Sequence, residues 1–188
     1  VNAQEAGLMV YYPFNGNAND ESGNGNHGQA YGGAATEAEG VPGIIDNDNL
    51  TATSFDGIDD WVSFDINGNE QQTVSAWVYL TDDSHQGAII QTPSLFTYFY
   101  NSTTIVTFIF PDNDGGPERE SLTCSYSLST NTWHHWVSMK ASDDDIRIYI
   151  DGELICSGIG INDNTNADYD TGAIGAWDKK NYSPVAYW

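Results

Sequence analysis

The chain has very few basic residues and no long hydrophobic run. Lysine and arginine together number 5 against 27 aspartates and glutamates, so the formal net charge of the 188 residues is −22. Nucleic acids and anionic membrane surfaces are therefore poor partners, because both repel an acidic protein. No apolar run approaches the roughly 18 residues that a membrane-spanning helix needs. Cations are the partners that this charge favours.

Cysteine is also scarce. The two cysteines, Cys124 and Cys156, both lie in predicted strands, and their spacing excludes a CxxC redox motif. Two cysteines alone cannot form a structural zinc site. A disulfide, typical of an extracellular protein, is one interpretation of the pair, and two buried free thiols are the other. The sequence leaves both open.

A sustained helical period is missing as well, apart from a weak helical turn near residues 34–39. Short β-branched and aromatic runs alternate instead with Gly, Asn and Asp turns, which predicts an all-β fold of two antiparallel sheets, a sandwich or jelly roll. The length predicts a single domain over residues 1–188. The predicted strands are 8–14, 53–56, 61–65, 73–80, 88–91, 95–100, 105–110, 121–126, 133–140, 146–150, 153–157 and 173–176.

Alternation within two of these strands indicates which face is buried. In residues 73–80 the even positions are Val, Ala, Val and Leu, while the odd positions mix hydroxyls with Trp77 and Tyr79. The even positions should face the core, and the odd positions suit a second buried layer or a groove for a polar ligand. In residues 146–150 the isoleucines alternate in the same way, and Asp151-Gly152 predicts a tight hairpin turn.

Residues 15–28 are rich in asparagine and glycine and offer oxygen ligands rather than core side chains. The first three ligand positions of an EF-hand loop are matched by asparagines. The template then fails, because Asp20 stands where the glycine should be and Asn26 where the glutamate should be. The alternative is a turn in which Asx side chains cap their own backbone.

A second acidic turn contains Asp56, Asp59 and Asp60. A capped hairpin turn would explain it, but clustered carboxylates repel one another and a divalent cation would relieve that cost. Taken together, the two loops predict one shared calcium site. Asp20 and Asp59 are the expected side-chain ligands, followed by Asp56, Asn24 and backbone carbonyls. Magnesium is less suitable, because carbonyl-rich loops fit the looser geometry of calcium.

Five segments, read together over about residues 7 to 176, resemble the bacterial laminin-G-like branch of the concanavalin A-like lectin/glucanase superfamily. They are GLMVYYPFNGNAND with SGN, SFDGIDDWV, TVSAWV, TWHHWV and IYIDG. The resemblance implies a two-sheet antiparallel jelly-roll β-sandwich with calcium bound by loops at its rim. It also implies recognition of carbohydrate or protein near that rim or on the concave face.

Family members of this kind are usually not catalytic and often belong to secreted or cell-surface proteins. The resemblance therefore implies a calcium-stabilised carbohydrate-binding or adhesion module. Its expected partner is a polysaccharide or glycan, and it is expected to be one module of a larger chain. The alternative function is a protein-interaction or structural module. A glycoside hydrolase or polysaccharide lyase of the same fold is a third hypothesis. In one departure from this family, whose members usually continue past residues 174–176 into a final strand, the chain either is truncated just before that strand or ends differently.

Aromatic and amide side chains supply candidate sugar-binding residues, because sugars stack their C–H faces on aromatic rings and bond their hydroxyls to polar groups. Four strand residues are expected to line the concave face and three later residues to form a loop near the rim. They are Trp77, Tyr79, Trp136 and Tyr149, and then Trp177, Asn181 and Tyr182. Each of them also fits a purely structural role.

Other metal or catalytic readings are weaker. Adjacent residues of a strand point to opposite faces, so His134 and His135 cannot easily bind one zinc ion; one imidazole should be buried and hydrogen-bonded. Turn chemistry explains the polar loops at residues 111–117 and 142–145. The strand motif of paired carboxylates that glucanases use is absent, which predicts a non-catalytic protein.

Overall fold

The computed structural model describes residues 7–39, 51–66, 71–81, 87–92, 95–101, 104–109, 121–141, 145–158 and 171–175. Thirteen strands lie in these ranges. They are β1 Gln29–Tyr31, β2 Ala35–Glu39, β3 Thr51–Ser54, β4 Trp61–Asp65, β5 Gln72–Tyr79, β6 Gly87–Gln91, β7 Leu95–Asn101, β8 Thr104–Ile109, β9 Ser121–Ser125, β10 Trp133–Lys140, β11 Ile146–Ile150, β12 Glu153–Gly158 and β13 Thr171–Ile174. In this described part of the chain no helix is long and apolar enough to cross a membrane.

The strands form two main sheets and a small hairpin. One sheet has seven strands in the order β1-β4-β13-β6-β7-β8-β9, the second has four in the order β12-β11-β10-β5, and β2 pairs with β3. Every pairing between the strands is antiparallel. The predicted all-β, two-sheet antiparallel sandwich is confirmed.

The two sheets face each other through β7 and β10. Trp136 of β10 is fully buried, and its ring meets the ring of Phe99 edge to face with centroids 5.2 Å apart. Two residues away on each strand, the hydroxyl of Thr97 donates a hydrogen bond to the hydroxyl of Ser138 at 3.3 Å. These contacts place the core between the inward faces of the sheets, so the odd-numbered residues of β5 and β10 face outward.

A disulfide between Cys124 and Cys156 joins the sheets at one side. Cys124 lies on β9, the last strand of the seven-stranded sheet, and Cys156 lies on β12, the first strand of the four-stranded sheet. Their Cα atoms are 6.1 Å apart, within the normal range for a disulfide. The structure therefore selects the disulfide from the two interpretations that the sequence left open.

Two local predictions are wrong. Residues 8–14 form no strand, because polar side chains of the following loop take up their backbone groups, as described below. The weak helical turn near residues 34–39 is instead strand β2, which pairs with β3. Pairing with this strand, which is distant in sequence, overrides the weak local preference for a helical turn. The sequence also did not predict the short strand β1.

Candidate functional site

The loop after residue 14 is organised around the carboxylate of Asp20, which is only 5% exposed. Its Oδ1 accepts hydrogen bonds from the backbone N–H groups of Tyr11 and Ser22, both at 2.9 Å. Its Oδ2 accepts from the hydroxyl of Ser22 at 2.8 Å and from the N–H of Asn26 at 3.0 Å. Burial raises the pKa of Asp20, but these hydrogen bonds outweigh it and lower the pKa below its usual value. The carboxylate is thus fully occupied by donors of its own loop.

Asn24 and Asn26 use their side-chain amides in the same way. Nδ2 of Asn24 donates to the carbonyl of Leu8 at 2.7 Å and to that of Met9 at 3.0 Å. Nδ2 of Asn26 also donates to the carbonyl of Met9 at 3.0 Å. Strand pairing would need these same backbone groups, which explains why residues 8–14 are not a strand. These contacts are those of the capped Asx turn, which the sequence offered as one interpretation of the loop beside a calcium loop.

The second acidic turn, between β3 and β4, brings three carboxylates together. Asp56, Asp59 and Asp60 each offer a ligand oxygen, and these oxygens all lie within 4.8 Å of one another. Oδ2 of Asp60 accepts a hydrogen bond from the N–H of Asp56 at 2.9 Å, and Asp60 itself is buried. Hard oxygen donors grouped in this way fit a calcium ion. Of the expected ligands, the structure brings Asp56 and Asp59 together with Asp60, while Asp20 and Asn24 serve the other loop.

This acidic turn packs against the end of β1. Tyr31 stacks on Trp61 with ring centroids 4.4 Å apart and an interplanar angle of 14°. Gly32 follows with a φ of +76°, and a Cβ at this position would overlap the carbonyl of Asp59. The turn is therefore fixed by close backbone packing and by a stacked aromatic pair that the sequence analysis did not single out.

The outer surface of the four-stranded sheet carries a second feature, which we call the aromatic face: Trp77 and Tyr79 of β5 with Trp133 and His135 of β10. Trp77 and Tyr79 are 45% and 40% exposed. Trp77 pairs across the strands with His135 and Tyr79 with Trp133, with ring centroids 5.1 and 5.3 Å apart. The alternation predicted for β5 placed the first two residues correctly. The same alternation within β10, once its pairing with β5 is known, identifies the other two.

Polar groups continue this surface. The hydroxyl of Ser75 and Nε2 of His135 share a hydrogen bond of 2.8 Å. Tyr149 of β11 lies opposite the outward-facing residue 137 and is partly buried. Arg147, two residues before it, forms an ion pair with Asp145. Hydrogen bonds to Asp145 and then Tyr149 raise the pKa of Arg147.

The prediction of one ligand-binding residue, Trp136, is wrong, and the predictions of three others are not tested. Trp136 is fully buried and pairs with Ala76 rather than Trp77, so its side chain lies on the core side of the sheet. It supports the aromatic face from beneath instead of contacting a ligand. Trp177, Asn181 and Tyr182 lie outside the described residues.

His134 is the buried imidazole that the sequence predicted, and His135 faces the opposite surface. Nδ1 of His134 lies 2.7 Å from Oδ2 of Asp151, and Nε2 lies 2.9 Å from the hydroxyl and 3.2 Å from the carbonyl oxygen of Ser129. Although burial raises the pKa of Asp151, the hydrogen bonds from His134 and the N–H of His135 lower it overall. Ser-His-Asp hydrolases use the same order of groups. Here Nε2 also faces a backbone carbonyl, so the imidazole ties a loop to the hairpin turn.

A family model described as the concanavalin A-like lectin/glucanases superfamily matches residues 47–185 of the chain. No curated protein matches the chain in sequence. The binding domain of botulinum neurotoxin serotype D is 18% identical with a TM-score of 0.66, and the match covers 89% of this chain and 43% of that one. The chain therefore spans less than half the length of that toxin domain.

Two further solved structures show the same fold. The binding domain of botulinum neurotoxin DC, solved in complex with rat synaptotagmin II, is 13% identical with a TM-score of 0.61 and covers 92% of this chain and 44% of that one. The Ruminococcus gnavus sialidase CBM40, solved with α2,3-sialyllactose, is 13% identical with a TM-score of 0.51 and covers 63% of this chain and 70% of that one. At these identities the likeness concerns the fold alone.

Proposed function

Because the chain belongs to the concanavalin A-like lectin/glucanases superfamily, whose Laminin_G_3 model it matches, we propose that it is a non-catalytic carbohydrate-binding module of a secreted or cell-surface protein. The observation that carries this proposal is the aromatic face. Trp77 and Tyr79 are 45% and 40% exposed and lie beside His135 and Trp133, so they form a contiguous patch, and such patches mark interaction sites more often than scattered single residues do. Trp77 and Tyr79 offer ring faces for sugar C–H groups.

The surroundings of these rings suit a sugar. The hydroxyl of Ser75 and the imidazole of His135 stand beside Trp77 and can exchange hydrogen bonds with sugar hydroxyls. Apolar rings flanked by a few polar groups are the usual composition of small-ligand sites. A carbohydrate-binding module of similar fold was solved with α2,3-sialyllactose, an acidic glycan, which supports carbohydrate as the class of ligand but not its charge.

Binding to a panel of immobilised glycans, with and without chelator, tests the proposal. Trp77→Ala should weaken binding about five- to tenfold, because a stacked ring contributes about 1 kcal/mol. Tyr11→Ala is the matched control, since Tyr11 is 44% exposed but lies outside the four-stranded sheet. Equal affinities for the wild type and Trp77→Ala would place the sugar elsewhere. No glycan bound at all would refute the proposal.

We also propose that calcium stabilises the turn of Asp56, Asp59 and Asp60. The three carboxylates lie within mutual reach of one ion, and a bound cation would offset their repulsion. A ligand present at 100 times its dissociation constant adds about 2.7 kcal/mol to stability. In a domain of this size the melting temperature should then rise by about 5–10 °C.

Thermal unfolding in calcium and in EDTA tests this second proposal. Asp59→Asn should abolish the calcium-dependent rise, whereas Asp65→Asn, a change to an exposed carboxylate at the far end of β4, should keep it. The same melting temperature for the wild type in calcium and EDTA would contradict calcium binding at the turn.

A protein-interaction module is the second candidate function. Leu154 is 51% exposed and pairs with Tyr149, so the outer surface of the four-stranded sheet ends in an apolar side chain that suits a protein better than a sugar. A toxin domain of similar fold was solved in complex with synaptotagmin II. Leu154→Ser separates the two functions, since it should weaken protein binding and leave glycan binding unchanged.

A further inference from the structure

We propose, resting on the proposed carbohydrate-binding function, that the glycan bound by the aromatic face is neutral and that the face discriminates against glycans bearing carboxylates or sulfates. The inference comes from the charges around the rings. Recognition of an anionic sugar gains most from a cationic partner for its charged group, because charge-assisted hydrogen bonds are the strong ones. On the described outer surface of this sheet, the cationic side chain is already paired with a carboxylate of the protein.

Arg147 is the cationic side chain that the described strands β5, β10 and β11 present outward. Its guanidinium pairs with the carboxylate of Asp145. A ligand carboxylate would meet that negative charge beside the guanidinium, which weakens its attraction to Arg147. Lys140, the other basic residue of these strands, is 2% exposed and lies on the inward side.

Negative charge surrounds this surface. The carboxylate of Asp145 stands beside Arg147, just before β11. The net charge of −22 adds a negative field around the whole chain. At physiological ionic strength that field extends about 8 Å from the surface. An anionic glycan is therefore repelled on approach and finds no unpaired cation in the described part of the surface.

A neutral glycan meets no such cost. Trp77 and Tyr79 lie two positions apart on one strand, so their attachment points are about 6.7 Å apart and both rings can contact one oligosaccharide. The hydroxyl of Ser75 and the imidazole of His135, 2.8 Å apart, can bond to uncharged hydroxyl groups. A chain of pyranoses with equatorial hydroxyls presents the flat C–H faces that stacking on both rings requires.

Matched polysaccharides that differ mainly in charge test the inference. Affinity electrophoresis would compare hydroxyethyl cellulose with carboxymethyl cellulose, and highly methyl-esterified homogalacturonan with its saponified form, at pH 8. We expect the neutral member of at least one pair to bind at least tenfold more tightly. The difference in affinity between the two members should shrink in 0.5 M salt, because salt at about that concentration screens charge–charge interactions strongly. Trp77→Ala should weaken binding of the neutral member, and Tyr11→Ala should not.

The variant Asp145→Asn gives an independent readout. Releasing Arg147 from its carboxylate partner should increase binding of the acidic member severalfold and leave the neutral member unchanged. Tighter binding of the acidic member by the wild type, lost in Trp77→Ala, would overturn this inference while the proposed function stands. Absence of binding to every polysaccharide would overturn both.

Discussion

Replacing Asp20 by asparagine should destabilise the protein by about 3 kcal/mol without involving any metal. The carboxylate accepts four hydrogen bonds, three of them from backbone N–H groups. An amide oxygen in place of Oδ1 can keep the donors of Tyr11 and Ser22. The new NH₂ group would then face the N–H of Asn26. That lost charge-assisted bond costs about 1.5–3 kcal/mol, and the remaining bonds weaken because the charge is gone.

Guanidinium chloride unfolding of wild type and Asp20→Asn, each in EDTA and in calcium, measures this effect. The loss should be the same in both solutions, since Asp20 holds its own loop. Glu21→Gln is the matched control, because Glu21 is the neighbouring carboxylate and is exposed; it should change stability by less than about 0.5 kcal/mol. A loss for Asp20→Asn that appears only in calcium would show that Asp20 is a metal ligand and refute the reasoning.

Three further predictions concern the sandwich and its pH dependence. Joint replacement of Cys124 and Cys156 by alanine should cost about 3–4 kcal/mol, because their separation of 32 residues sets the loop-closure entropy that the disulfide removes; an unchanged denaturation midpoint would contradict this. Gly172→Ala should cost about 2–3 kcal/mol, since a Cβ would overlap the ring of Phe64, and Phe64→Leu in the same chain should recover part of the loss. Hydrogen bonds outweigh burial and lower the pKa of Asp20, so the native state binds fewer protons than the unfolded state. Stability from this group should be complete above about pH 4 and fall as the pH drops through the lower native pKa, and acid titration of Asp20→Asn should show a shallower fall.

The features that sequence predicted well depend on neighbours along the chain. Period-two alternation in β5 gave its buried and exposed faces, and the pattern holds in the structure. The Asp151-Gly152 turn has φ values of +53° and +82°, as a two-residue hairpin requires. Both signals are local, because a strand's alternation and a tight turn are each set within a few residues.

The features that sequence missed depend on distant partners. Residues 8–14 have the composition of a strand, but Asn24 and Asn26 donate to their carbonyls from 15 to 17 residues away. The face occupied by Trp136 depends on the register between β5 and β10, and a shift of one residue would exchange the two faces. No pattern within either strand encodes that register, so sequence reasoning placed Trp136 on the wrong side.

The carboxylates show why acidic composition alone does not locate a metal site. Asp20 is saturated by loop donors, Asp151 holds His134, and Asp145 pairs with Arg147. Each of these acids already has a partner that offsets its charge. The turn containing Asp59 differs, because its carboxylates face one another and gain most from an added cation. Sensitivity of the melting temperature to EDTA should therefore disappear in Asp59→Asn and persist in Asp20→Asn, although Asp20→Asn is the less stable protein.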